Sequence, residues 1–119
     1  MPVTIHGKEY RTVAERVGEL HELRDDFSIN TEILEMKTLA EDPKNDQVII
    51  KATIEYSDGR SFTGIAHEVR GSNFINKTSY VEVCETSAIG RACASAGLAG
   101  TEYASADEVA NARLNQDRR

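Results

Sequence analysis

No stretch of this 119-residue chain is apolar for long enough to cross a membrane, and residues 1–7 lack the basic start and apolar core of a secretory signal. A cytoplasmic protein is the expectation. An excess of positive charge is also missing: 14 Lys and Arg stand against 20 Asp and Glu, for a net charge of −6. That balance argues against broad, nonspecific binding to duplex DNA, whose affinity comes mostly from neutralised phosphates, but it leaves room for a local basic groove. Cysteine is scarce. Cys84 and Cys93 lie nine residues apart on one helical stretch, hence on opposite sides of it, and read as structural thiols that cannot bridge each other. His6, His21 and His67 have no metal-like spacing with either cysteine, so no metal and no cofactor are assigned. There is no nucleophile elbow and no phosphate loop. Glu82, Glu85 and His67 alone make a poor acid–base constellation, and an enzyme is not expected. With no internal repeat or low-complexity segment, residues 1–119 read as one domain.

What the chain does have is a long, well-punctuated helical stretch at residues 77–97, KTSYVEVCETSAIGRACASAG. Ser79 and Glu82 form a candidate capping box, and Gly97 suits the left-handed residue that ends a helix. Ala88, Gly90, Ala92, Ala94, Ser95 and Ala96 are all small, so another backbone can approach closely, and a helix this apolar all round is normally buried. Arg91 sits on its small face with no carboxylate in local reach. It must find either a distant acidic group or an anionic ligand such as phosphate.

The rest of the chain arranges itself around that helix. A first helix begins at Thr12, boxed with Glu15. It carries Val13, Val17, Leu20 and Leu23 on one stripe and Arg11, Arg16, Glu19, Glu22 and Arg24 on a solvated face. Three strands follow. Residues 27–37 alternate until Leu34 and Met36 suggest a change of face or a bulge, and residues 47–56 alternate cleanly with Val48, Ile50, Ala52, Ile54 and Tyr56 inward. Asp58-Gly59 signals a hairpin to residues 60–69, where Gly64 and Ala66 leave a trough that suits the long helix. Ser105 with Glu108 starts a short helix through Ala112. The expected fold class is α+β. A three-stranded antiparallel meander carries a long helix across one face as a β-β-β-α core, with one helix before it and a short one after it. Its strand edges remain open, which favours oligomers.

The segment ETSAIGRA at residues 85–92, the small-residue turn at 97–100 and ASADEVANA at 104–112 together resemble the core of phage and plasmid single-strand annealing recombinases of the Erf and Sak type. These are relatives of the eukaryotic Rad-type annealing mediator. The resemblance runs from Phe27 onward, with a core over residues 27–100. It implies a homo-oligomeric ring or filament that binds single-stranded DNA by its backbone and promotes annealing in phage-type recombination without a cofactor. It also carries the family's basic helix residue over to Arg91.

On that reading the candidate nucleic-acid contacts are Lys51, Arg60, His67, Arg70, Asn73, Lys77 and Arg91, with Phe74 available to stack on bases and Tyr80 assigned to the core. The alternative is a small phage-encoded adaptor or inhibitor that keeps the fold without binding DNA, supported by the acidic balance.

Overall fold

In the computed structural model, residues 3–5, 8–39, 41–99 and 102–117 are described. His6, Gly7 and Gly100 lie outside them. The first described elements are the antiparallel pair β1 (Val3–Ile5) and β2 (Lys8–Tyr10). Helix α1 (Val13–Leu23) starts at Thr12 with both halves of the expected box. The Glu15 N–H donates to Thr12 Oγ1, and the Thr12 N–H donates to Glu15 Oε1.

The strands β3 (Phe27–Lys37), β4 (Gln47–Tyr56) and β5 (Ser61–Val69) form an antiparallel meander in the order β3-β4-β5. The β4–β5 turn has Gly59 at φ 92°, the left-handed conformation that glycine adopts without steric cost. The β3–β4 register shifts between Ile33 and Glu35, so the bulge sits where the alternation breaks in the sequence. Alternate β4 residues are buried, and each of Val48, Ile50 and Ile54 contributes roughly 1.5–3 kcal/mol by leaving water.

Helix α2 (Asn76–Ser95) lies across β4 and β5 and barely reaches β3. Its small residues are what let it sit so low. A Cβ on Gly64 would come within 2.3 Å of the Ala92 backbone nitrogen, so the trough expected on β5 is filled by backbone. The other side of α2 meets α1, where a Cβ on Gly90 would come within 2.6 Å of Val13. The small-residue part of α2 is buried because it is sandwiched between the sheet and α1, but Lys77, Thr78, Glu82, Glu85 and Thr86 are exposed, so the helix is not buried all round as its composition suggested. Cys84 faces the sheet, with its thiol toward the Val48 and Ala66 carbonyls, and Cys93 is buried near Arg16. Burial pushes both free thiols up to about 11.

The ends of α2 differ from one another in how far the sequence foretold them. At the C-terminus Gly97 has φ 92°, its N–H donates to Ala94 O and that of Leu98 to Cys93 O, a Schellman arrangement that also buries Leu98. At the N-terminus the helix begins before Ser79, which forms a kink at φ −134° and ψ 24°. Asn73, rather than Ser79, satisfies the first turn by accepting from the Asn76 N–H. Helix α3 (Ala106–Asp117) starts at Ser105, whose hydroxyl accepts from the Glu108 N–H, and runs past Ala112.

Two side chains of α1 are placed differently from their sequence reading, and the first is Leu23, which belongs to the expected apolar stripe and is 68 % exposed. Arg16, expected on a solvated face, is fully buried. Its guanidinium donates to the carbonyls of Gly90, Tyr103, Glu102 and Ala104. Four carbonyls can hold a buried guanidinium because each removes part of the desolvation cost, and Glu108 and Asp107 add favourable charge.

Candidate nucleic-acid interface

At one end of the sheet two connections meet. The β3–β4 connection turns through a 3-10 segment at Pro43–Asn45, and the β5–α2 connection crosses over it. The Gly71 N–H donates to Lys44 O at 2.6 Å, and the Arg70 N–H donates to Asp46 O at 2.8 Å. A Cβ at Gly71 would stand 2.5 Å from that Lys44 oxygen, so only glycine lets the two segments close. Asp46 is the buried organiser of this corner. One oxygen accepts from the Leu39 N–H at 2.7 Å, and the other lies 3.3 Å from Arg70 Nη1.

The result is a notch of about 390 Å³ lined by Pro43, Lys44, Arg70, Gly71, Asn73 and Lys77. Arg70 is held in place from two directions, by Asp46 and by the Lys77 carbonyl at 3.2 Å. Lys44 and Lys77 are exposed and form no ion pair with the other described residues. Phe74, next in the chain to Asn73, is 75 % exposed, whereas Tyr80 packs against the core as expected. Asn73 itself is buried. Its amide ties the start of α2 to Asn111 of α3 at 2.6 Å, so it shapes the notch more than it could touch a ligand.

Of the seven sequence candidates the structure therefore brings together Arg70, Asn73 and Lys77. Of the others, His67 and Arg91 line a second cavity of about 260 Å³ between β5, α2 and α3, whereas Lys51 and Arg60 stand apart. Lys51 stands on the open face of β4 between Glu32 and Ile65, and His67, on the same face, contacts Gln47 at 2.9 Å. Arg60 is engaged by Asp58 through two nitrogens at the hairpin. Arg91, read as lacking a local carboxylate, has one from across the fold: its Nη2 donates to Glu108 Oε2 at 2.8 Å. Lys44 was missed, because nothing in a polar loop marks which lysine the tertiary fold will lay beside Arg70.

Among the other described cations, Lys8, Arg11, Arg24, Arg60 and Arg91 are engaged by acids, and Lys37, Lys51 and Arg113 are not. Arg24 pairs with Asp26 and stacks 4.0 Å from the Tyr56 ring centre, Arg11 pairs with Glu19, and Lys8 pairs with Glu102. The notch is thus a place where positive charge remains available on an acidic molecule. Among the described residues no group of three His, Cys, Asp or Glu side chains is set to hold a metal, and no helix is long and apolar enough to cross a membrane.

A helix, a three-stranded meander and a second helix laid over it is the order in which the chain is built, and a family model described as Slr1353 N-terminal dsRNA-binding domain-like matches residues 20–96. The chain belongs to that family. No curated protein sequence and no solved structure matches the chain. Membership in the Slr1353 N-terminal dsRNA-binding domain-like family overturns the resemblance to annealing recombinases of the Erf and Sak type. The physical reason lies in the signal used. ETSAIGRA is what a helix needs in order to lie on Gly64 and against α1, so it reports close packing and not the use of the fold. The family match also starts inside α1, ahead of Phe27, where the resemblance began.

Proposed function

We propose that this domain is a non-catalytic, cytoplasmic binding module for double-stranded RNA, gripping the sugar-phosphate backbone with Lys44, Arg70 and Lys77. The observation that carries the reading is the convergence of these three cations at the start of α2 in a member of a dsRNA-binding-domain-like family. Duplex RNA is recognised mainly through shape and through phosphate and 2′-hydroxyl contacts, which needs positioned cations and no catalytic group. Single-strand annealing loses its support together with the recombinase resemblance.

Three cations are few. The affinity is therefore modest, and its logarithm falls with the logarithm of salt concentration with a slope of about −2 to −3. The test is an anisotropy titration with a labelled RNA duplex of about 16 base pairs, beside single-stranded DNA of equal length. Binding that prefers the duplex and is lost in the Lys44→Glu, Lys77→Glu double variant supports the reading. Equal or tighter binding to the single strand, or binding indifferent to the double variant, overturns it.

A second reading, a protein adaptor that keeps the fold without binding nucleic acid, is favoured by one observation. Arg24, Arg60, Arg70 and Arg91 all lie against carboxylates in a chain of net charge −6. No binding to either nucleic acid at low salt would select it.

A further inference from the structure

The two edges of the sheet are finished differently. Beside β5, Asn111 of α3 donates to Glu68, and Ser95 at the end of α2 donates to the Thr63 carbonyl. β3 has β4 on one side and is exposed along residues 30–38, a free pairing edge for another strand. On this edge Ile33, Leu34 and Met36 are 51 %, 47 % and 46 % exposed, an apolar group of the kind that marks interaction sites when contiguous. Because α2 barely reaches β3, a cleft of about 390 Å³ opens between them, lined by Thr31, Ile33, Ile50, Val81, Glu82 and Glu85.

The bulge permits a pairing that a regular strand would forbid. In a regular strand, residues 33 and 36 lie on opposite faces, as do 32 and 37. The shift between Ile33 and Glu35 changes that: Ile33 is opposite Ile50 and Met36 opposite Val48, both on the helix-covered face of β4. Glu32 is opposite Lys51 and Lys37 opposite Gln47, both on the open face. An antiparallel β3 from a second copy can therefore be laid alongside with Glu32 facing Lys37 and Ile33 facing Met36, each pair on its own face. A two-fold axis makes every pair occur twice. Lys37 is the single basic residue of β3, and this register sets it against an acid.

We infer that β3 is a homodimerisation edge, occupied by β3 of a second copy in this register, which joins the two meanders into one six-stranded sheet. The charge match and the face match fall in the same register, and both depend on the bulge. The contact is short, below the standard interface size, so the dimer forms reversibly at high protein concentration.

Sedimentation velocity over a concentration series up to about 1 mM is the first measurement, with monomer–dimer exchange expected and a monomer at every concentration overturning the inference. Charge reversal then reads the register. Glu32→Lys alone and Lys37→Glu alone each set like charges opposite one another twice and weaken the dimer by about tenfold. Mixing the two single variants makes both contacts complementary again and restores association. Both positions are exposed, so circular dichroism is expected to show unchanged folds. A wild-type dimer that neither single variant weakens, or a mixture no tighter than either variant alone, overturns the inference.

Discussion

The two sides of α2 are held by different physics. Toward the sheet the contact is bare backbone and small side chains. Gly64 lies against the Ala92 nitrogen and the Ala88 carbonyl, and Cys84, Ala88 and Ala92 are fully buried over β4 and β5. Toward α1 and α3 the contact is a set of polar latches: Arg16 to four carbonyls, Arg91 to Glu108, and Asn73 to Asn111. The first side tolerates no added volume. The second is also tight at Gly90, against Val13, but it fails above all when a donor is removed, since a buried acceptor stripped of its partner costs about 1–3 kcal/mol.

The sharpest way to break the sheet side is Gly64→Val. The added carbons meet backbone that cannot rotate away, so the loss is expected to exceed about 3 kcal/mol, with α2 lifted from the sheet and a large fall in melting temperature. Wild-type melting would show that the helix does not lie as low as described.

On the latch side the largest effect belongs to Arg16→Ala. It leaves carbonyls of Gly90 and of residues 102–104 facing an apolar gap, with about 3 kcal/mol expected by chemical denaturation. Arg16→Lys would recover only part of that, because an ammonium cannot reach four acceptors spread over a guanidinium fork. Full retention of stability in Arg16→Ala would return this residue to the solvated face its sequence position suggested.

The smallest effect comes from Arg91→Ala. Its guanidinium is 40 % exposed and solvent screens the pair, so about 1 kcal/mol is expected at neutral pH. Affinity for duplex RNA should be unchanged per folded molecule, because Arg91 lies away from Lys44 and Lys77. Its pH dependence carries a sign. Burial raises the Glu108 carboxyl above the ordinary glutamate range, and Arg91 opposes that rise. A raised acid binds its proton more tightly in the folded state, so its contribution falls as pH climbs from the ordinary value through the folded one. Removing Arg91 raises the folded value further and steepens that fall, which thermal melts from mildly acidic to neutral pH would measure. A flat profile in the variant would mean that Glu108 is not buried as described.

Local signals were legible wherever cause and effect lie a few residues apart. Thr12 with Glu15, Gly59 in its hairpin, the break in alternation near Leu34 and Gly97 at the helix end all act within one turn or one strand pair, and all stand where the chain suggested. The small residues of α2 told of a close approach for the same reason: absence of side-chain volume is visible in the chain itself. Taken as the mark of one family, the same residues misled, since volume says how near a neighbour comes but not what the fold is used for.

What only the tertiary structure decided are the partners of charged and polar groups. Arg16 meets Gly90 and the carbonyls of residues 102–104, Arg91 meets Glu108, and Lys44 is laid beside Arg70 by a turn whose closure depends on Gly71. Apolar burial depends on periodicity, which a chain displays along its length. A charge is settled by whichever acceptor the fold brings within about 3 Å, and that choice exists only after α1, α2 and α3 have packed. The amino-acid order by itself therefore determined the three-stranded meander, its helices and the buried face of β4, while packing alone determined which cations were consumed as latches and that Lys44 and Lys77 were left unpaired at the notch.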